Sequence, residues 1–157
     1  MSSYLTFYLV PKKTKKKYDF NKDDGSTEIE VELSKGEPLC LTSYSRSSEI
    51  YQAYKEKLNP AYAGNDENYT ELRYEDAKSV CTSYEKEINE TKKRLEIDYK
   101  IIKEGGYNSD LWEEIHSFEK YLDDQKETLQ ELKSISNLVY DVYMDYTDFE
   151  KVLINIG

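Results

Sequence analysis

Residues 105–110 read Gly105-Gly106-Tyr107-Asn108-Ser109-Asp110, and two long amphipathic stretches meet on them. The glycine pair is a helix stop, because glycine takes positive φ without steric cost. Ser109 or Asp110 then starts a second helix, with Asp110 and Glu113 forming a capping box. Upstream, apolar residues recur at spacings of three and four: Ala77, Cys81, Tyr84, Ile88, Thr91, Leu95, Tyr99 and Ile102. Downstream the stripe is Leu111, Ile115, Phe118, Leu122, Gln125, Leu129, Leu132, Val139, Tyr143 and Tyr146. The pattern slips near Ile135, where Ser136 takes the expected seam position. Two such stripes joined by a tight turn predict a long antiparallel α-hairpin packed like a coiled coil. The first arm is expected to start at an Asn68-Tyr69-Thr70-Glu71 capping box and to run to about Glu104.

The preceding residues read as β structure. Tyr4 to Val10 is rich in aromatic and β-favouring residues, with Leu5, Phe7 and Leu9 on one face. Pro11 and the lysine run Lys12 to Lys17 end that strand and predict a charged loop. Tyr18–Phe20 adds a short piece before a turn at residues 23–26. Glu28-Ile29-Glu30-Val31-Glu32-Leu33 alternates without error, and Leu39 to Tyr44 forms a third strand. Ser47 or Ser48 caps a short helix from Glu49 to Leu58, with Ile50, Tyr51, Tyr54 and Leu58 on one stripe, and Asn59-Pro60 stops it. A three-stranded sheet needs such a cover. The apolar tail Phe149–Ile156 is expected to fold back onto the sheet, as a helical turn or a last strand.

The expected fold class is therefore α+β: a small antiparallel sheet with a covering helix, followed by the long helical hairpin. The expected divisions are residues 1–60 for the sheet and short helix, 61–68 for a linker, and 69–157 for the hairpin and its returning tail.

Charge is unevenly spread. The net charge is −10, yet residues 1–36 carry seven lysines against six acids, and the whole deficit lies in residues 37–157. An acidic body repels nucleic acid and anionic membranes and attracts a basic protein surface. No apolar run is long enough to span a bilayer, and Met1–Val10 lacks the charged start and cleavage site of a signal peptide. Together with two widely separated cysteines, Cys40 and Cys81, this predicts reduced thiols and a cytoplasmic protein, in the host cell's cytoplasm if phage-encoded.

Chemistry is sparse. The six glycines form no phosphate-cradling loop, and no C-x-x-C occurs. His116 is the lone histidine; Glu113-x-x-His116 is half of a di-iron pattern that needs a second copy. No catalytic residue, metal or cofactor is expected. Asp141, Asp145 and Asp148 fall at helical spacing with Tyr140, Tyr143 and Tyr146 interleaved, and Asp66, Glu67 and Tyr69 form an acidic, aromatic loop. Carboxylates beside tyrosine rings suit contact with a basic, partly apolar protein surface. The expected partner-binding residues are thus Asp141, Tyr143, Asp145, Tyr146, Asp148, Asp66, Glu67 and Tyr69.

The function expected from this pattern is non-enzymatic protein binding. Its most specific form is a small acidic inhibitor, of the kind phage and mobile elements use, that covers the basic nucleic-acid-binding surface of a host defence protein or another protein acting on nucleic acid. The other form is an assembly protein of a phage particle or similar complex, with the hairpin serving oligomerisation. Neither nucleic acid nor membrane is expected as a direct partner.

Overall fold

In the computed structural model, residues 4–12, 15–22, 25–32, 38–58, 69–106 and 108–157 are described; for 15–22 and 25–32 this is the backbone alone. The described elements are strands β1 (Tyr4–Pro11), β2 (Lys15–Lys22), β3 (Gly25–Glu32) and β4 (Leu39–Ser45), helix α1 (Glu49–Lys57), strand β5 (Thr70–Glu71), helices α2 (Tyr74–Gly105) and α3 (Ser109–Tyr143), and strand β6 (Phe149–Ile156).

The main sheet is antiparallel with order β4-β1-β6-β5. The tail is thus a strand, and it lies inside the sheet between β1 and β5. Leu5 pairs with Ile156, Phe7 with Ile154 and Leu9 with Val152. On the other side of β1 the register to β4 shifts between Phe7 and Tyr8. Strands β2 and β3 pair with each other as a separate two-stranded sheet and are not part of the sheet that holds β1 and β4. Lys15, Lys16 and Lys17 lie on β2, not in a loop. The alternation of Ile29 and Val31 falls on β3, whereas Leu33, the 61–68 linker and Asn68 lie outside the described residues.

One face of the sheet carries Leu5, Phe7, Leu9, Val152, Ile154 and Ile156 into the core. Helix α1 closes one side of it: Tyr51 and Tyr54 are wholly buried, and Tyr54 meets Phe7 edge-on at 5.3 Å between ring centroids. Ser48 caps α1, accepting the Ile50 N–H at 3.2 Å. The wide end of the hairpin completes the core with Ala77, Val80, Tyr84, Ile88, Leu132, Val139 and Val142.

Helices α2 and α3 are 32 and 35 residues long and pack against each other. At a rise of ~1.5 Å per residue each reaches about 50 Å. Helix α2 starts at Tyr74, later than the Asn68–Glu71 box predicts, because Thr70 and Glu71 pair with Ile154 and Leu153 of β6. Sheet hydrogen bonds take the backbone that the helix would have used. Asn108 caps α3, its side chain accepting the Leu111 N–H at 3.2 Å, so the cap falls one residue before Ser109.

The seam departs from the expected stripe at two places. In α2 strict alternation of three and four from Leu95 lands on Asp98, and Asp98 is the buried residue (1% exposed) while Tyr99 points outward. Spacing prevails over polarity there. In α3 Ile135 and Ser136 are both buried, after which the seam runs through Val139 and Val142. Tyr143 and Tyr146 thereby leave the interface. This is the drift of a 3.6-residue helix against a 3.5-residue repeat.

The turn is decided by Gly106, which has φ 80° and ψ −167°. That region is essentially restricted to glycine. No atom lies within 4 Å of where a Cβ would sit, so the requirement is conformational and not one of space. Gly106→Ala should cost about 1–3 kcal/mol, whereas Gly105→Ala, at the last residue of a helix, should be neutral or stabilising by up to about 1 kcal/mol. Urea melts of the two variants check this; equal losses would remove the assigned role of Gly106.

A second outcome concerns the seam. Leu132 is wholly buried, while Leu122 and Leu129 are half-buried. Leu132→Ala should cost about 2–5 kcal/mol, and Leu122→Ala clearly less, as read from denaturation midpoints. The reverse order would place the interface on the wrong face of α3.

Candidate functional site

The end of α3 is built by a change of backbone direction. Helix α3 stops at Tyr143, and Met144 is its C-cap. Asp145 has φ 64°, the left-handed region. The Tyr146 N–H reaches back to the Asp141 carbonyl at 2.9 Å and the Asp145 N–H to the Val142 carbonyl at 3.1 Å. This is the paired hydrogen-bond arrangement of a Schellman motif, with aspartate where glycine is usual. The chain then turns through Thr147 and Asp148 into β6.

The three aspartates therefore do not share one helical face. Asp141 lies in the last turn of α3, Asp145 in the turn beyond it, and Asp148 next to β6. The Asp145 carboxylate pairs with Lys12, and the Lys12 N–H donates to the Asp148 carbonyl at 2.9 Å. The start of the lysine run is thus tied to the start of β6. Among the described residues no group of three or more His, Cys, Asp or Glu side chains is arranged to hold a metal ion.

The tyrosines do come together at this corner. Tyr143 and Tyr146 are 76% and 68% exposed. Tyr140 lies between Tyr74, at 5.1 Å, and Tyr146, at 6.5 Å, both edge-on. Beside them a hollow of about 440 Å³ runs between the start of α2, the end of α3 and β6, lined by Tyr74, Val142, Tyr143 and Lys151 among others. Exposed rings next to a hollow with both charged and apolar lining suit a contact surface. Tyr74, drawn in from the other helix, is the member that the spacing along α3 alone does not supply.

Tyr69 sits elsewhere. Its ring packs on Tyr8, 4.5 Å between centroids, on the sheet face away from the core. Burial, and then the neighbouring Tyr69 phenol, push the Tyr8 hydroxyl above its ordinary pKa. Asp66 and Glu67 lie outside the described residues.

His116 is exposed near the start of α3, stacked on Trp112 at 5.8 Å, with its Nδ1 3.8 Å from a Glu119 carboxylate oxygen. Cys40 is exposed and Cys81 buried, and the two are not joined. Cys81 hydrogen-bonds to Ser136, some 20 residues along α3 from His116, or ~30 Å at helical rise. The structure does not bring His116 to Cys81.

The hairpin's charge is concentrated on one helix. Helix α3 has nine acidic and three basic residues, α2 eight and seven. Asp110, Glu113, Asp123, Asp124, Glu127 and Glu131 on α3 are exposed. The acidic surface is thus the outer flank of α3 as far as Glu131; Leu132 to Tyr140 carries no acid, and Asp141 is the next. No helix among the described residues is long and apolar enough to cross a membrane.

Asp145 gives a direct test of the corner. A left-handed L-residue costs roughly 1–2 kcal/mol, and an exposed ion pair returns at most about 1 kcal/mol. Asp145→Gly should leave the melting temperature unchanged or raise it, and Asp145→Val should fall below Asp145→Gly by about 1–2 kcal/mol. Thermal melts ranking Val above Gly would contradict the described turn. Comparison with protein-family models, with curated proteins and with solved structures finds no match for this chain.

Proposed function

We propose that this protein acts by binding another protein, with no chemistry of its own, and that it covers a basic surface that otherwise holds nucleic acid. The observation that carries this reading is the acidic outer flank of α3 together with the exposed rings of Tyr143 and Tyr146 past Asp141. A row of carboxylates imitates a phosphate strand electrostatically and steers a basic partner. Tyrosines supply the desolvated contact that charge alone does not, and they are frequent among residues that dominate binding energy. Small size and acidity suit an inhibitor that a phage or mobile element directs at a host defence protein, or at another protein acting on nucleic acid, in the cytoplasm.

A second reading has its own observation. Strand β4 is an edge of the main sheet, carries no charged residue, and exposes Leu39 and Leu41. An uncharged edge is open to pairing with another strand, as an assembly protein would use it. Light scattering on the purified protein separates the two: a large or symmetric oligomer formed without a partner favours assembly.

For the inhibitor reading, the partner captured from native cells is immobilised and binding kinetics are followed against salt. Asp141→Asn with Asp148→Asn should slow association and flatten its salt dependence. Tyr143→Ala should speed dissociation by about tenfold or more, the ratio expected of a contact residue worth above ~1.4 kcal/mol. Duplex DNA should compete with the wild-type protein for the partner. Salt-independent binding that DNA does not displace would overturn this reading.

A further inference from the structure

Strand β4 is the edge of the main sheet opposite β5, so it lies across the sheet from the hollow beside the tyrosine corner. Its seven residues, Leu39-Cys40-Leu41-Thr42-Ser43-Tyr44-Ser45, carry no charge, in a chain where 34% of residues are charged. The neighbouring β1 is uncharged as well, and so is β6 from Val152 to Ile156. Those two strands sit inside the sheet, where a charge would be buried. Strand β4 has no such reason: Leu39 and Leu41 are 54% and 44% exposed, and Cys40, Ser43 and Ser45 are exposed beside them.

Natural sheets guard their edges with lysines, prolines, bulges or a covering element. Among the described elements none pairs with the outer edge of β4. Its one guard is a bulge. Cys40 lies opposite Tyr8 and Thr42 opposite Phe7, which leaves Leu41 over. From Thr42 to Ser45 the strand runs in unbroken register with β1, and the Thr6 and Ser43 hydroxyls hydrogen-bond each other at 3.1 Å on the outer face. A regular, uncharged stretch of edge is therefore open to a further strand.

Charge decides what fits there. The basic partner that suits the flank of α3 finds no acid on β4. A charged strand would give up hydration for no counter-charge, whereas an uncharged one loses little. The chain supplies such a strand in β4 itself. The opposite edge, β5, has two residues and carries Glu71, so it offers no second site for continued addition. Pairing of β4 with β4 is self-complementary and closes after two copies. We propose that β4 is the pairing edge of a two-fold dimer, in which it lies antiparallel to β4 of a second copy and joins two four-stranded sheets into one of eight. Centred on Ser43, this pairing sets Thr42 across from Tyr44 of the second copy and Ser43 across from Ser43. The net charge of −10 on each copy opposes the approach, and so short a strand makes a small interface, so the dimer is weak and depends on concentration. The proposal rests on the assembly reading above and deepens it, naming the partner as a second copy and limiting assembly to two.

Sedimentation equilibrium of the full chain, over a range of protein and salt concentrations, tests this, with hydrogen exchange of residues 39–45 as the local readout. The mass should rise from one copy to two and no further. Added salt screens the like net charges and should tighten the dimer, the opposite of its effect on a complex with a basic partner. Exchange in β4 should slow as the dimer forms. Ser43→Lys lowers the net charge of each copy, yet it sets two lysines face to face at the two-fold axis. It should weaken the dimer about tenfold, or ~1.4 kcal/mol, and leave the melting temperature of the monomer unchanged. A dimer with unaltered exchange in β4, one that Ser43→Lys strengthens, or growth beyond two copies would overturn the β4 pairing and leave the assembly reading standing. A chain that stays monomeric at every concentration and salt would overturn both.

Discussion

The structure depends on the hydrogen-bonded pairing of β6 with β1. It joins the two ends of the chain, with the Gly157 N–H donating to the Tyr4 carbonyl at 2.8 Å and the Tyr51 hydroxyl donating to the Gly157 carbonyl at 2.8 Å. From Val152 to Ile156 every side chain is buried, on both faces of the strand. Without β6, β1 would keep β4 but lose its other neighbour, and β5 would have no partner. The wide end of the hairpin packs on this platform, and α1 fills the side between them. Contacts between residues this far apart in sequence cost loop entropy before they return any energy, so a slow sheet-closing step is expected in folding.

The hairpin itself is a mixed seam. Most of its buried apolar residues lie at the sheet end, with Leu95 and Ile115 toward the turn, and Thr91, Asp98, Gln125 and Ser136 are buried among them. Asp98 is partly compensated by Arg94, whose Nε lies 3.7 Å away while its other guanidinium nitrogen reaches Glu114 at 2.8 Å. Thr91 spends its hydroxyl on the Glu87 carbonyl one turn back. Polar groups in a seam lower its stability and narrow the registers it can adopt. Here Arg94 links Asp98 of its own helix to Glu114 of the other, so a one-turn slip of α3 would break it.

Negative charge is arranged in two ways. On the flank of α3 it is exposed and screened by solvent, which suits long-range steering more than affinity. Where α1, α2 and α3 meet it lines an open cleft, in which Glu56, Glu87 and Glu90 are also exposed. Under the protein-binding reading the flank would bring a basic partner near, and the tyrosine corner would give it a place to settle.

By itself the sequence determined the elements whose signal is local. Gly106 set the turn because only glycine tolerates its backbone, and spacings of three and four set most of the seam because side-chain direction repeats along a helix. Tyr140 and Tyr146 were legible as candidates for one surface from their spacing, although a turn after Tyr143, not a continued helix, brings Tyr146 back to Tyr140. What only the tertiary structure decided is non-local. Asp98 is held in the seam although it is charged, Val142 replaces Tyr143 there because α3 drifts out of strict heptad register, and Tyr146 lies past the end of the helix. Thr70 and Glu71 become strand because β6 offers hydrogen-bond partners that the sequence near them does not announce. Tyr74 joins the tyrosine corner, and Glu49, Glu87 and Gln125 meet across three helices, because packing juxtaposes residues that share no spacing pattern along the chain.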